Sequence, residues 1–236
     1  MTADAATGTR LLLLETSGTV GRVGVALDAE LRAEQPLDEQ RRHARDLAPA
    51  VQRLLTEQGW RPADLAAVLV SQGPGSYTGL RVGLMSAKTL AYATGCRLIA
   101  VPTLAIVADQ AAAQTARVEV IADAQQDRVY VQRFQLKADA PPEPVTPLEV
   151  LPASAWHARL SADFPLSGPG LERWHERLPS VTALLPSQFW RPGLASLLRL
   201  GLAELAANRA ADPMTLEPLY ARPSSAEEKW NELGRP

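Results

Sequence analysis

The run Gly73-Pro74-Gly75-Ser76-Tyr77-Thr78-Gly79-Leu80-Arg81-Val82-Gly83 is where residue types and spacing could do chemistry. A glycine-rich turn between a buried strand and a helix can aim backbone N–H groups at an anion, helped by the helix dipole. Ser76, Thr78 and Arg81 belong to the same run, and Glu15, Thr16 and Ser17 end the first strand, where a mixed α/β sheet presents ligand-contacting side chains. These residues read either as a nucleotide-contacting loop or as a structural one, in which Gly73 and Gly75 serve tight backbone turns. No Lys-Ser/Thr pair follows the glycines, so the run is not a Walker A loop. Asp123 and Asp127 flank a later hairpin, a place where turn chemistry alone selects aspartate.

Other chemical signals are thin. The three histidines, His43, His157 and His175, show no helical zinc spacing. No carboxylate pair, Ser–His–Asp order or base-activated nucleophile stands out, so no catalytic residue and no metal site is assigned. His43 reads as a solvated side chain or a partner contact. The single cysteine, Cys96, cannot form an internal disulfide and reads as a buried small hydrophobe.

The elements that position the glycine-rich run follow from the apolar pattern. Arg10–Leu14 reads as a buried strand, Val20–Leu27 as its hairpin partner and Leu31–Gln35 as a third strand. Leu47, Val51, Leu54 and Leu55 predict a helix from about Arg42 to Gln58, which Pro49 kinks or opens and Gly59 stops. A strand over Leu65–Ser71, a helix from about Thr78 to Ala93 closed by Gly95, and a strand over Leu98–Val101 come next. Thr103 is the expected N-cap of a third helix. Strands over Val118–Asp123 and Arg128–Phe134 form a pair, and Pro141, Pro142, Pro144, Pro147 and Pro152 mark an extended edge or surface connection. A helix from about Pro192 to Asn208, an extended tail over Leu216–Pro223 and one helical turn over Ser224–Trp230 complete the chain. The order predicts mixed sheets with helices on their faces.

On the second helix Gly79, Gly83, Ala87 and Ala91 recur every four residues, a stripe that lets another backbone approach closely. Leu80, Val82, Leu84, Met85 and Leu90 cover much of the remaining circumference. A helix this apolar is buried on more than one side, either within the monomer or against another chain.

Composition sets the outer limits. The chain has 236 residues, a formal charge of −2, 46% hydrophobic and 21% charged positions. That is a globular composition, and it excludes intrinsic disorder. The charge argues against a free-standing nucleic-acid binder. Met1–Arg10 lacks the layout of a signal peptide, and no apolar run approaches the ~18 residues of a membrane span, so a cytoplasmic protein is expected.

Five motifs occur together in order: Leu14-Glu15-Thr16-Ser17, the run Gly73 to Gly83, Ala100-Val101-Pro102-Thr103-Leu104, Ile121-Ala122-Asp123-Ala124 and Pro218-Leu219-Tyr220-Ala221-Arg222. The sequence thereby resembles, over nearly its whole length, the TsaB (YeaZ) family of bacterial proteins needed to make threonylcarbamoyladenosine (t6A) in tRNA. The resemblance implies a two-lobed α/β fold of the actin, hexokinase and Hsp70 type, each lobe a mixed sheet with flanking helices. The expected lobes are residues 1–103 and 104–236. It implies a non-catalytic subunit that binds the catalytic paralogue TsaD and supports threonylcarbamoylation of adenosine 37 in tRNAs reading codons that begin with A. It further implies the ATPase TsaE as a partner, a homodimer when TsaD is absent, and tRNA contact mainly through the complex. No intrinsic cofactor is expected, and ATP or ADP would belong to the complex interface.

The docking surface implied lies on the two N-terminal-lobe helices, with His43, Leu47, Val51, Leu54, Gly79, Leu80, Gly83, Leu84 and Ala87 as its candidates. TsaD holds a metal through two histidines on its first helix. Here His43-Ala44-Arg45-Asp46-Leu47 supplies one, with Leu47 at the second position. The family's first motif carries Asp where this sequence has Glu15, a residue more typical of TsaD. The alternatives are a stand-alone metal-dependent glycoprotease-like enzyme and a phosphotransferase of the same fold type.

Overall fold

The computed structural model describes residues 8–37, 43–180 and 182–219. Four consecutive leucines explain why the first half is layered. Alternate side chains of a strand point to opposite faces. β1 (Arg10–Glu15) therefore sends Leu12 and Leu14 into one core and Leu11 and Leu13 into another. A strand apolar on both faces has to be covered on both.

β1 is the centre of a five-stranded sheet. β2 (Arg22–Leu27) and β3 (Glu30–Pro36) form an antiparallel meander on one side of it. β4 (Ala67–Gly73) and β5 (Arg97–Pro102) run parallel on the other, giving the order β3-β2-β1-β4-β5. α1 (His43–Glu57) and α2 (Tyr77–Thr94) pack on the Leu12 and Leu14 face. Gly95, at φ 74°, adopts the left-handed conformation that ends α2.

α3 (Thr103–Ala111) leads to the second sheet, built from β6 (Arg117–Asp123), β7 (Arg128–Lys137), β8 (Ala140–Pro144) and β9 (Glu149–Pro152). After α4 (Ala153–His157), the short β10 (Leu166–Ser167) pairs parallel to β6, and α5 (Leu171–Trp174) and α6 (Leu194–Ala206) follow. The proline-rich stretch supplies β8 and β9, which share the outer edge of β7, one at each end. Edges are where a strand tolerates prolines without losing ladder bonds. Leu104, Val107, Ala108 and Ala111 of α3 cover one face of this sheet, and Trp156 and Trp174 close the other.

α6 follows the boundary expected near residue 103, yet it lies against the first sheet. Leu194, Leu197, Leu198 and Leu205 share a core with Leu11, Leu13, Leu69 and Ile99. This is the cover that the second face of β1 requires. Ile106 of α3 joins the same core, so α3 touches both sheets. Each of the two sheets is mixed and flanked by helices.

The tripeptide Gly73-Pro74-Gly75 between β4 and α2 has a counterpart in Gly168-Pro169-Gly170 between β10 and α5. Gly73 and Gly168 share nearly the same backbone angle, φ 112° and 116°. Each follows a strand that runs parallel to the first strand of its sheet.

Several sequence expectations need correction. Thr103 is the first residue of α3 rather than its N-cap, a position held by Pro102, and its hydroxyl accepts a bond from the Gly73 N–H at 3.2 Å. Pro49 stands inside α1 on its exposed side, beyond the first turn. Cys96 is half-buried, packed at the margin of the first core. The turn expected over Ser224–Trp230, and the motif residues from Tyr220 on, lie outside the described residues. No helix among the described residues is long and apolar enough to cross a membrane.

Candidate functional site: the glycine-rich turn and the outer face of α2

β4 delivers the chain to the glycine-rich turn, and α2 leaves it directly over the end of β1. A methyl group on Gly79 would overlap the Thr16 carbonyl oxygen, one on Gly75 the Ser17 carbonyl oxygen, and one on Gly83 the Thr16 hydroxyl. The glycines thus let the helix lie on the Thr16-Ser17 backbone. Two N–H groups of the run are taken up within the protein. Ser76 donates to the Ser17 carbonyl at 2.7 Å, and Gly79 donates to the Ser76 hydroxyl at 3.3 Å. An anion cradle needs such donors directed at the ligand, and here the protein itself takes them. Thr78 and Arg81 face outward, with the Arg81 guanidinium 4.0 Å from the centre of the Tyr77 ring.

Glu15, Thr16 and Ser17 are buried. The Glu15 carboxylate folds back on its own turn, accepting the Ser17 N–H at 2.8 Å and the Ser17 hydroxyl. Burial pushes its pKa above the ordinary value, against the smaller opposing effects of Ser17, Ser71 and Arg22. The Thr16 hydroxyl oxygen is buried without a hydrogen-bond partner among the described residues. This cluster is a packed seam between β1 and α2.

The side chains expected at a partner interface lie in the core. Leu47, Val51, Leu54, Leu84 and Ala87 pack with Leu12, Leu14, Val23, Val68 and Val70. Leu80 is also buried, and Gly79 and Gly83 are covered by Thr16. The small-residue stripe of α2 turns toward its own sheet, so the apolar residues beside it are consumed within the chain. The side chain of His43 lies outside the described residues, and Leu47 is 2% exposed. Among the described residues no three His, Cys, Asp or Glu side chains converge as metal ligands would.

What α2 leaves outside is a different set. Tyr77, Met85 and Tyr92 are exposed, Met85 at 59% and Tyr92 at 77%. Tyr77, Arg81 and Met85 stand two positions from the sheet-facing stripe, roughly opposite it on a helix of 100° per residue. That offset was available in the sequence once the stripe was known to face inward. A second polar centre lies in the other lobe, where Glu119, 2% exposed, accepts the Trp156 indole N–H at 2.7 Å and pairs with Arg133 at 2.6 Å. It lines a small hollow with Thr146, Glu149 and Arg159. Arg133 also donates to the Arg159 carbonyl and Arg159 pairs with Glu149, so these charges satisfy one another.

The exposed face of α2 and the packed seam beneath it find counterparts in known proteins. The family model described as TsaD, tRNA N6-adenosine threonylcarbamoyltransferase, matches residues 33–145. The "tRNA threonylcarbamoyladenosine biosynthesis protein TsaB" of Bacillus subtilis is 29% identical over 94% of this chain and 98% of its own. The protein of the same name from Escherichia coli is 27% identical over 95% and 98%. The solved structure of YeaZ from Pseudomonas aeruginosa superposes with a TM-score of 0.75, at 28% identity, over 90% of this chain and 99% of that one. The likeness to the transferase model ends midway, whereas the TsaB and YeaZ likeness runs through both lobes: the chain belongs to the TsaB (YeaZ) family.

Proposed function

We propose that this protein takes part in forming threonylcarbamoyladenosine in tRNA as a non-catalytic subunit that docks a TsaD-type transferase through the outer face of α2. The observation that carries the docking reading is the exposure of Tyr77, Met85 and Tyr92 along one helix. Contiguous exposed apolar side chains mark interaction sites, and aromatic and methionine side chains are enriched at them. The names of the TsaB relatives support the pathway. In this reading the chain contributes no nucleophile, metal or cofactor of its own. ATP or ADP enters at the joint surface with the partner, a TsaE-type ATPase engages the assembled complex, and tRNA is held mainly by the complex. A homodimer through the same helices forms when the transferase is absent.

Depletion of the protein in its source cell, with threonylcarbamoyladenosine measured in bulk tRNA, tests the pathway. Loss of the modified nucleoside is expected, and unchanged modification after complete depletion overturns the reading.

A further inference from the structure

The chain crosses between the two sheets at two places, and both are tied. At the first, β5 ends at Pro102 and α3 begins at Thr103, so no free residue separates strand from helix. The Pro102 ring fixes its own φ, here −59°. The buried Thr103 hydroxyl accepts the Gly73 N–H of the neighbouring strand at 3.2 Å.

At the second, residues 185–194 run from Leu185 in the core of the second sheet to Leu194 in the core of the first. The Gln110 side-chain amide of α3 donates to two carbonyls of this segment, Arg191 at 2.9 Å and Phe189 at 3.4 Å. The hydroxyl of buried Ser167 on β10 donates to the same Phe189 carbonyl at 2.8 Å. One carbonyl oxygen has lone pairs for both donors. A methyl group on Gly193 would overlap the Gln110 side-chain oxygen, so the amide sits directly on the backbone there. Next to Gln110, Asp109 is 8% exposed and pairs with Arg199 of α6.

These ties join the two sides of what would otherwise be a hinge. α3 covers the second sheet, while α6 covers the first. Asp109 and Gln110, consecutive on α3, therefore grip the helix of the other sheet and the segment that leads into it. Domain closure needs a few connecting residues that can absorb large changes of φ and ψ. The first crossing has no spare residue. In the second, Pro186 and Pro192 restrict the backbone, and turning it would strand the Gln110 and Ser167 donors, which is costly for buried polar groups.

We infer that residues 185–194, together with Asp109 and Gln110, form a bolt that holds the two lobes at one fixed angle, with or without a nucleotide. The protein then presents both lobes to its surroundings as a single rigid body, without the opening and closing by which two-domain enzymes enclose a substrate. None of these residues lies on the outer face of α2, so the bolt stands or falls apart from the docking reading.

Spin labels on Glu57→Cys of α1 and Glu143→Cys of β8, both exposed positions, report the distance between lobes in the full chain carrying Cys96→Ser. A single narrow distance is expected, unchanged by MgATP. Gln110→Met keeps the length of the side chain but loses its amide, and it is expected to widen the distribution severalfold. Ser167→Ala, which removes one of the two bonds to Phe189, is expected to widen it less, and it keeps the test readable should Gln110→Met not fold. Val23→Ala, which loosens the first core away from the bolt, is expected to leave the width as it was. A broad or two-peaked distribution in the parent protein, or a shift with MgATP, overturns the fixed angle. An unchanged width in folded Gln110→Met and Ser167→Ala proteins, or equal widening by Val23→Ala, overturns the bolt as its cause.

Discussion

Gly83 of α2 faces Thr16 of the β1 turn at a distance that leaves no room for a methyl group between them. One turn earlier, Gly79 stands in the same relation to the Thr16 carbonyl oxygen. The two contacts differ in what can give way. At Gly83 the obstacle is a hydroxyl that can rotate, and at Gly79 it is backbone.

Gly79→Ala is therefore expected to destabilise the protein by about 2–3 kcal/mol, an overpacking cost that exceeds the roughly 1 kcal/mol by which alanine favours a helix over glycine. Gly83→Ala is expected to cost less, about 1 kcal/mol. Combining each with Thr16→Ala separates the causes: the double variant relieves Gly83→Ala and leaves Gly79→Ala unrelieved. Urea unfolding reads both, and equal relief at the two positions would contradict the backbone assignment.

Glu15 gives a dependence on pH. Its pKa is raised by burial, so between the ordinary carboxylate range and that raised value the folded chain holds a proton that the unfolded chain releases. Stability from this group is fully present below the ordinary value, and it is lost as pH rises toward the folded pKa. Glu15→Gln keeps an acceptor for the Ser17 N–H and hydroxyl but has no proton to lose. The variant is expected to match the wild type near pH 4 and to be the more stable of the two at pH 8. Melting temperatures across that range check it, and a gap independent of pH would remove Glu15 as the cause.

Leu84 and Met85 are neighbours in sequence with opposite fates, 1% and 59% exposed. A charge at Leu84 is expected to unfold the protein, at a cost of about 4 kcal/mol or more for an unpaired buried carboxylate. A charge at Met85 is expected to leave stability within about 0.5 kcal/mol, as at ordinary surface positions, and to abolish capture of the proposed transferase partner. Circular dichroism and co-purification on the same two variants separate core from docking face. Loss of capture by folded Leu84→Asp protein would restore that residue to the interface.

The same pair shows what could be read in advance. Local patterns carried the elements: four leucines made a doubly covered strand, and Gly95 marked the end of α2. The stripe of Gly79, Gly83, Ala87 and Ala91 announced a close approach to some backbone. Periodicity describes one face of a helix and is silent about what lies opposite, and here that was Thr16 and Ser17 of the same chain. Thr103 had the right residue type for a cap, but the nearby Gly73 N–H took its hydroxyl. The return of α6 to the first sheet depends on residues far apart in sequence, such as Leu13 and Leu197, sharing one core, which no window of neighbouring residues contains. The tie between the lobes belongs to the same class. The Phe189 and Arg191 carbonyls reach Gln110 through the fold, not through a motif.

Glu119 and Arg133 allow the second lobe to be tested independently of docking. Glu119 is almost fully buried, held by Arg133 at 2.6 Å and by the Trp156 indole at 2.7 Å. Removing the cation leaves a buried carboxylate with one neutral donor. Arg133→Met is therefore expected to cost about 3–5 kcal/mol, the range for breaking a buried pair from one side. It also removes the guanidinium lying 4.8 Å from the Phe164 ring centre. Glu119→Gln keeps an acceptor for Trp156 and is expected to cost about 1 kcal/mol, close to one neutral hydrogen bond. Adding Glu119→Met to Arg133→Met removes the stranded charge, so the double variant is expected to be more stable than Arg133→Met alone. Chemical unfolding supplies these values. Because the pair lies on the second sheet, the folded variants should bind the transferase with unchanged affinity, and a loss of binding in stable Glu119→Gln protein would show that the docking surface extends beyond α2.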